Sequence, residues 1–360
     1  MQEVGIALPK TRGVGVGIVG ALLLFFIFYY FYGGYMTLTL FAAILLRTYV
    51  FLITLDAVFL TSFIFTVIFY NAQDLLLYHP DLPSNSRIYI PIPTMHNLPN
   101  LTVSIKTSDN VTLHAFWIRQ PEERCKSVPT LLYFHGNAGN MGHRMQNVWG
   151  IFHHLHCNIL MVEYRGYGLS TGVPSERGLV TDARAAIDYL LTRHDLDHNQ
   201  LILFGRSLGG AVVIDVAADT VYGQKLMCTI VENTFTSIRE MAVELVHPSV
   251  KYIPNLLYKN KYHSLSKIAK TSVPFLFISG LADNLVPPRM MRALYTQCGS
   301  EQKRMIEFPG GSHNDTWIVD GYYQGIGNFL LELQEQPTPL QQPPEKSNIW
   351  VELEHKIIDV

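Results

Sequence analysis

The chain is written in two patterns. From Val14 to Tyr70 apolar residues run almost unbroken, and Arg47 and Asp56 are the only charged side chains. About 20 such residues cross the hydrocarbon core of a bilayer. Residues 1–70 are therefore expected to form a membrane-anchor region with one to three spans, breaking at Gly33-Gly34 and near Arg47. Thr48 to Tyr70 is the strongest span, and Val14 to Tyr32 is a second. Asp56 inside the first of these requires snorkelling or a helix partner. The apolar region is far too long for a cleavable signal peptide.

After Tyr70 the period changes. Residues 71–100 read as a connector punctuated by Pro80, Pro83, Pro91, Pro93 and Pro99. Leu101 to Thr107 and Val111 to Ile118 alternate around Ser108-Asp109-Asn110, which predicts a hairpin. Short apolar runs then alternate with helix-period stretches. Strands are expected at Leu131–His135, Asn158–Tyr164, Leu201–Phe204, Cys228–Glu232, Phe275–Ser279 and Arg304–Phe308. Helices are expected near 143–154, 175–192, 211–218, 288–298 and 318–333. This alternation predicts an α/β domain over 101–334, a mostly parallel, doubly wound sheet with helices on both faces. Thr234 to Lys270 interrupts it and reads as a small lid. Met241, Leu245, Tyr252, Leu256, Leu257 and Tyr258 are its candidates for lining an acyl-binding groove. Residues 335–360 are expected to be a flexible tail. Its Pro- and Gln-rich part reaches Lys346, and its Ile357-Ile358-Asp359-Val360 end could add to the sheet edge of a PDZ-type domain.

Composition adds bounds rather than function. Only 16% of the 360 residues are charged and the net charge is −2, so nothing points to nucleic acid. The mean hydropathy is +0.16, too apolar for a wholly soluble domain. Cys125, Cys157, Cys228 and Cys298 are scattered without metal-ligand spacing, so no metal or cofactor is expected. Cys157 and Cys228 lie in strand-like runs and should be buried thiols. Lys10 and Arg12 favour a cytosolic start. A single pass of type II then puts the following domain in the lumen or outside the cell, whereas two spans would put it in the cytosol. Asn100, Asn110 and Asn314 begin glycosylation sequons that matter only on the lumenal side.

The chemistry concentrates at strand ends. Gly205-Arg206-Ser207-Leu208-Gly209 follows the strand-like run Leu201–Phe204 and precedes a small apolar helix. Gly-x-Ser-x-Gly in that context is a nucleophile elbow. An elbow serine needs backbone N–H groups aimed at the oxyanion that forms on its substrate. One belongs to Leu208. The other is expected from the loop His135-Gly136-Asn137-Ala138-Gly139, with Asn137 the first candidate and Ala138 next. Asp283 follows the strand Phe275–Ser279, and His313 follows Arg304–Phe308. The order Ser207, Asp283, His313 predicts nucleophile, orienting acid and general base.

The runs Tyr133–Asn140, Tyr164–Ser170, Gly205–Gly210, Val231–Phe235, Ser279–Pro288 and Gly311–Trp317 resemble one membrane-anchored branch of the α/β-hydrolase superfamily. The resemblance extends from about residue 71 to about residue 332. It implies a single-pass anchor followed by the catalytic domain, with the same triad. The function expected is a serine hydrolase acting on a carboxylic ester or thioester. Membrane attachment favours a lipid-derived acyl group carried on a lipid or a protein. A protein S-acyl thioesterase is the narrower alternative, and a catalytically inactive membrane scaffold the alternative of another class.

Overall fold

The computed structural model describes residues 12–335, and side chains from residue 17 onward. The expected flexible tail and its terminal motif lie outside the described residues, as does Lys10. The described chain forms two compact units, divided between Phe69 and Tyr70.

In the first unit the helix Arg12–Tyr32 is followed by the 44-residue helix Gly34–Leu77. The turn falls at Gly33, whose φ of 78° favours glycine. The two helices touch through the Phe25 and Phe41 rings, 5.2 Å apart. No break occurs at Arg47. The interval from Tyr35 to Leu77 contains neither Gly nor Pro, so nothing interrupts the backbone ladder. Gly34–Leu77 is long and apolar enough to cross a membrane. It also continues past the expected boundary at residue 70, so the first seven residues of the expected connector are helical. At 1.5 Å per residue it extends about 66 Å, roughly twice a hydrocarbon core.

The second unit is built on one eight-stranded sheet. In chain order the strands are β1 (Asn100–Lys106), β2 (Thr112–Ile118), β3 (Thr130–Phe134), β4 (Asn158–Val162), β5 (Leu201–Arg206), β6 (Cys228–Glu232), β7 (Phe275–Gly280) and β8 (Lys303–Phe308). Their order across the sheet is β1-β2-β4-β3-β5-β6-β7-β8. β2 is antiparallel to β1 and β4, and the remaining pairs are parallel. β4 and β5 flank β3 on opposite sides, so the winding reverses there. A crevice at the carboxyl ends of such strands is where open α/β sheets hold their ligands.

The two faces follow from strand alternation. Leu132, Phe134, Leu160, Val162 and Leu203 point towards the helices Glu176–Thr192 and Leu208–Ala217. Leu131, Tyr133, Ile159, Met161 and Phe204 point the other way, towards Met145–Leu155 and Tyr322–Glu335. Strands covered on both sides must be apolar at every position, which is why β3 to β7 read as continuous runs. The C-terminal helix starts at Tyr322 rather than near 318, because Gly321 sits at φ 86° and a short turn, Thr316–Ile318, precedes it.

All four cysteines are buried free thiols. Burial pushes the Cys157 thiol up to about 12 and raises that of Cys228 as well. The thiolate is the reactive form. At pH 8 a water-soluble maleimide should therefore label no cysteine of the native domain and all four in denaturant. Rapid modification of any native thiol would contradict this packing.

Candidate active site

Ser207 occupies the single residue between β5 and the helix Leu208–Ala217, with φ 54° and ψ −117°. A non-glycine residue there is strained, and the surroundings must hold it. They do so from both sides. Its N–H donates to Glu232 O at 2.9 Å, and its carbonyl accepts from Thr234 Oγ1 at 2.7 Å and Gly210 N–H at 2.9 Å. The two glycines of the motif are required by contact. A Cβ on Gly205 would lie 2.3 Å from Gly209 O, and one on Gly209 would lie 2.2 Å from Phe134 O. Strand and helix could not approach so closely with side chains there.

The loop after β3 passes beside this turn. A methyl group on Gly136 would sit 3.6 Å from Ser207 Cβ, ordinary van der Waals contact. The next residue, Asn137, is tied down by its other groups. Its carbonyl accepts from Tyr167 Oη at 2.9 Å and His79 N–H at 3.1 Å, while its Nδ2 donates to Leu77 O at 3.0 Å. Among the described residues, the N–H groups of Asn137 and Leu208 find no acceptor within the chain. Unpaired N–H groups in a packed region are rare, and the helix N-terminus at Leu208 favours negative charge.

Asp283 and His313 come together directly. His313 Nδ1 lies 2.7 Å from Asp283 Oδ2, while Asp283 Oδ1 accepts from the N–H groups of Leu285 and Val286 at 2.8 and 2.9 Å. A carboxylate saturated in this way makes Nδ1 the donor. Nε2 is then the ring nitrogen left to exchange a proton.

Asn233 links the two halves. It sits at φ 47° at the end of β6, next to Glu232, whose carbonyl receives the Ser207 N–H. Its Nδ2 reaches the carbonyls of Ser312 (3.1 Å) and His313 (3.2 Å) and the Thr316 hydroxyl (3.0 Å), and its Oδ1 accepts from Gly280 N–H at 2.8 Å. One amide therefore fixes the loops carrying Asp283 and His313 relative to the elbow.

A buried ion pair and a buried hydrogen-bonded pair support the site. Arg206 Nε meets Glu232 Oε1 at 3.0 Å, and Tyr322 Oη donates to Glu232 Oε2 at 2.7 Å. Glu232 beside it raises the Arg206 pKa further. Arg206 also extends to Asn314 O at 3.5 Å, on the loop of His313. Beneath the other loop, His135 Nε2 lies 2.9 Å from Glu163 Oε1, and Glu163 Oε2 accepts from Met141 N–H at 3.0 Å. Tyr164 Oη donates to His135 O at 2.8 Å. Arg165 anchors this tyrosine strap to Asp182 (2.8 Å) and Asp109 (2.7 Å), and it holds the Asp109 carboxyl down at about 2.

The functional partners missed by sequence reading are Glu163, Tyr164, Tyr167, Arg206, Glu232 and Asn233. Most lie in runs singled out by family resemblance, but none carries a local pattern that reveals its partner. The one available signal was position, because Asn233 and Glu163 each end a strand adjoining the elbow strand or its neighbour.

The segment expected as a lid borders a cavity that does not include Ser207, Asp283 or His313. Residues 234–270 contain the helix Ile238–Leu245, two 3-10 turns and the short helix Ser264–Ile268. A cavity of ≈ 580 Å³ lies against them, lined by Thr236, Arg239, Glu240, Glu244, Lys251 and Arg289 among others. None of the six apolar lid residues expected to line a groove borders it. Met241 and Tyr258 are buried, while Leu245, Tyr252 and Leu256 are exposed. The lid helix is amphipathic. Met241 turns inward and the polar face meets the cavity. Among the described residues, no cluster of three or more His, Cys, Asp or Glu side chains is gathered as a metal ion would need. Of the three sequons, Asn110 and Asn314 are exposed and Asn100 is half-buried.

Comparison with known proteins gives concordant relatives. Residues 126–268 match the family model described as serine aminopeptidase, S33. The α/β hydrolase domain-containing protein WAV2 of Arabidopsis thaliana is 39% identical over 273 residues, covering 72% of this chain and 87% of that protein. An uncharacterised membrane protein of Saccharomyces cerevisiae is 36% identical over 266 residues, covering 73% of this chain and 90% of that protein. Among solved structures, an esterase of Pyrococcus furiosus superposes with a TM-score of 0.56 at 18% identity, covering 71% of this chain and 97% of that one. At that identity the likeness is one of fold.

The strain at residue 207 is directly testable. Ser207→Gly removes the Cβ that disfavours φ 54°, whereas Ser207→Ala keeps it. The glycine variant should be more stable than the alanine variant by about 1 kcal/mol in denaturant unfolding. The opposite order would mean that the turn is relaxed.

Proposed function

The chain belongs to the α/β-hydrolase superfamily, and on that premise we propose that it is a membrane-anchored serine hydrolase of carboxylic esters or thioesters. The observation that carries the reading is Ser207 at φ 54°. A turn that glycine would adopt without strain is occupied by a hydroxyl-bearing residue. A purely structural elbow has no use for that hydroxyl.

In this reading Ser207 Oγ attacks the acyl carbonyl and its proton passes to His313 Nε2. Asp283, 2.7 Å from Nδ1, orients the ring and stabilises its cationic form. The N–H groups of Asn137 and Leu208 receive the oxyanion. The imidazolium then protonates the departing alcohol or thiol. Water, activated by the same ring, releases the acid from the acyl-enzyme. The apolar helix Gly34–Leu77 holds the enzyme in a membrane, in keeping with the name of the yeast relative. A lipid-derived acyl group is the substrate suited to that position. A protein S-acyl thioester is the narrower form of this proposal.

Fluorophosphonate labelling of the membrane fraction tests the reading. Wild type should label and Ser207→Ala should not. Asp283→Asn should lower kcat on a soluble p-nitrophenyl ester by about 10⁴-fold with little change in KM. A folded wild type that neither labels nor turns over the ester would overturn the assignment and favour a scaffold.

A further inference from the structure

The end of the long helix is part of the hydrolase unit. No Asn, Gln or charged side chain occurs between Asp56 and Asn71. Immediately beyond that apolar run, polar side chains turn to the lid. Gln73 Nε2 donates to Leu257 O at 2.7 Å, and Gln73 Oε1 accepts from Lys259 N–H at 2.9 Å. Asp74 Oδ1 accepts from Asn260 Nδ2 at 2.6 Å, and its Oδ2 pairs with Lys259 Nζ. One turn later the buried Tyr78 hydroxyl meets Asn260 Oδ1 at 3.0 Å and the Tyr262 hydroxyl at 2.8 Å. Gln73 is four residues past Phe69, about 6 Å of helix. The backbone of lid residues 257–260 is therefore held one hydrogen bond away from the point where the apolar run ends.

Exposed apolar side chains occur on both of the segments tied in this way. Leu75 and Leu76, on the last turn of the helix, are 78% and 73% exposed. On the lid tip, Tyr252 is 77% and Leu256 83% exposed, and Lys251 Nζ lies 5.1 Å from the Tyr252 ring centre. Single exposed leucines carry no message. Here four large apolar groups lie on two segments tied together by hydrogen bonds. An aromatic ring and a lysine beside them give the composition of an interfacial surface.

We propose that the lid tip, residues 251–257, is a bilayer-docking surface. Together with Leu75 and Leu76 it lies in the interfacial layer of the membrane that the helix Gly34–Leu77 enters. The occupant is lipid because Gln73, which holds the lid backbone at Leu257, follows only three residues after the apolar run that ends at Tyr70. Lys251 and Asn255, on the same tip, line the lid cavity, so docking sets the mouth of that cavity at the lipid surface. A substrate held in the membrane then reaches the polar cavity without crossing bulk water. This inference rests on the membrane-anchored hydrolase reading and deepens it.

The test uses the full chain in phosphatidylcholine nanodiscs, with a bimane label at Leu256→Cys, Tyr252→Cys, Ser62→Cys or Val221→Cys. The native thiols are buried, so labelling is selective. Val221 is exposed on the turn that leads into the amino end of β6, the end of the strand away from the site. Labels at 252 and 256 should be quenched by lipid spin-labelled near the headgroup and shielded from iodide. Val221 should behave in the reverse way, and Ser62 should be quenched by lipid labelled deep in the acyl chain. Quenching at 62 with iodide access at 256 equal to that at 221 would overturn the docking surface alone. Absence of quenching at 62 would overturn the anchor and the docking surface with it. In the Tyr252→Asp/Leu256→Asp variant, hydrolysis of p-nitrophenyl palmitate dissolved in the disc should fall about tenfold through KM. Turnover of soluble p-nitrophenyl butyrate should stay unchanged. Equal loss on both esters would overturn the proposal. A wild type inert towards both would fault the hydrolase reading, while the quenching would still decide where the lid tip lies.

Discussion

The backbone of Ser207, held at φ 54°, is the constraint to which the centre of this molecule is fitted. Such a turn survives only where neighbours over-determine it. Here β6 supplies them through the carbonyl of Glu232 and the hydroxyl of Thr234. The close approach of strand to helix then excludes side chains at Gly205 and Gly209. It also brings the β3 loop into contact with Ser207. Asn233, the residue between those two supports, reaches the His313 loop. The segment that strains the serine thus also sets the position of the histidine.

Charge inside the domain serves the same geometry. The Arg206–Glu232 ion pair and the His135–Glu163 hydrogen bond are almost wholly withdrawn from water. An ion pair so deeply buried does not stabilise a fold cheaply, because desolvation offsets much of its attraction. What they supply is direction. One lies beneath the elbow and reaches the loop of the base, and the other lies beneath the loop that carries Asn137. Tyr164 and Tyr167 add hydrogen bonds to the same loop. The N–H groups of Asn137 on this loop and of Leu208 on the elbow helix, unpaired among the described residues, therefore sit in a frame with little freedom to rearrange, which is the preorganisation that oxyanion stabilisation depends on.

The long helix extends that frame to the start of the hydrolase unit. Leu77 receives the Asn137 amide and Gln73 receives the lid backbone. Helix end, lid and β3 loop are joined by short polar contacts within the hydrolase unit. A disturbance at residues 73–79 is therefore transmitted to the site through bonds to its backbone and not through loose packing.

The sequence by itself determined the elements and the candidate reacting groups. Apolar runs flanked by turn residues located the strands, because a strand covered on both faces has no polar position to spare. Gly-x-Ser-x-Gly located the elbow, because only glycine permits the approach of β5 to its helix. Chain order located Asp283 and His313, each in a loop after a strand. Only the tertiary structure decided what holds them. Glu163 and His135, Arg206 and Glu232, and Asn233 and His313 are partners across strands far apart in the chain, and no local spacing records such a pairing. The orientation of the lid residues was hidden for the same reason. Its apolar residues were visible as a group, but which of them face the cavity and which face outward depended on how the helix Ile238–Leu245 rotates against its neighbours. The reach of the long helix to Leu77 was equally hidden, since the partners of the polar residues that seem to end a membrane span, the lid donors to Gln73 and Asp74 and the Asn137 amide that donates to the Leu77 carbonyl, lie far away in the chain.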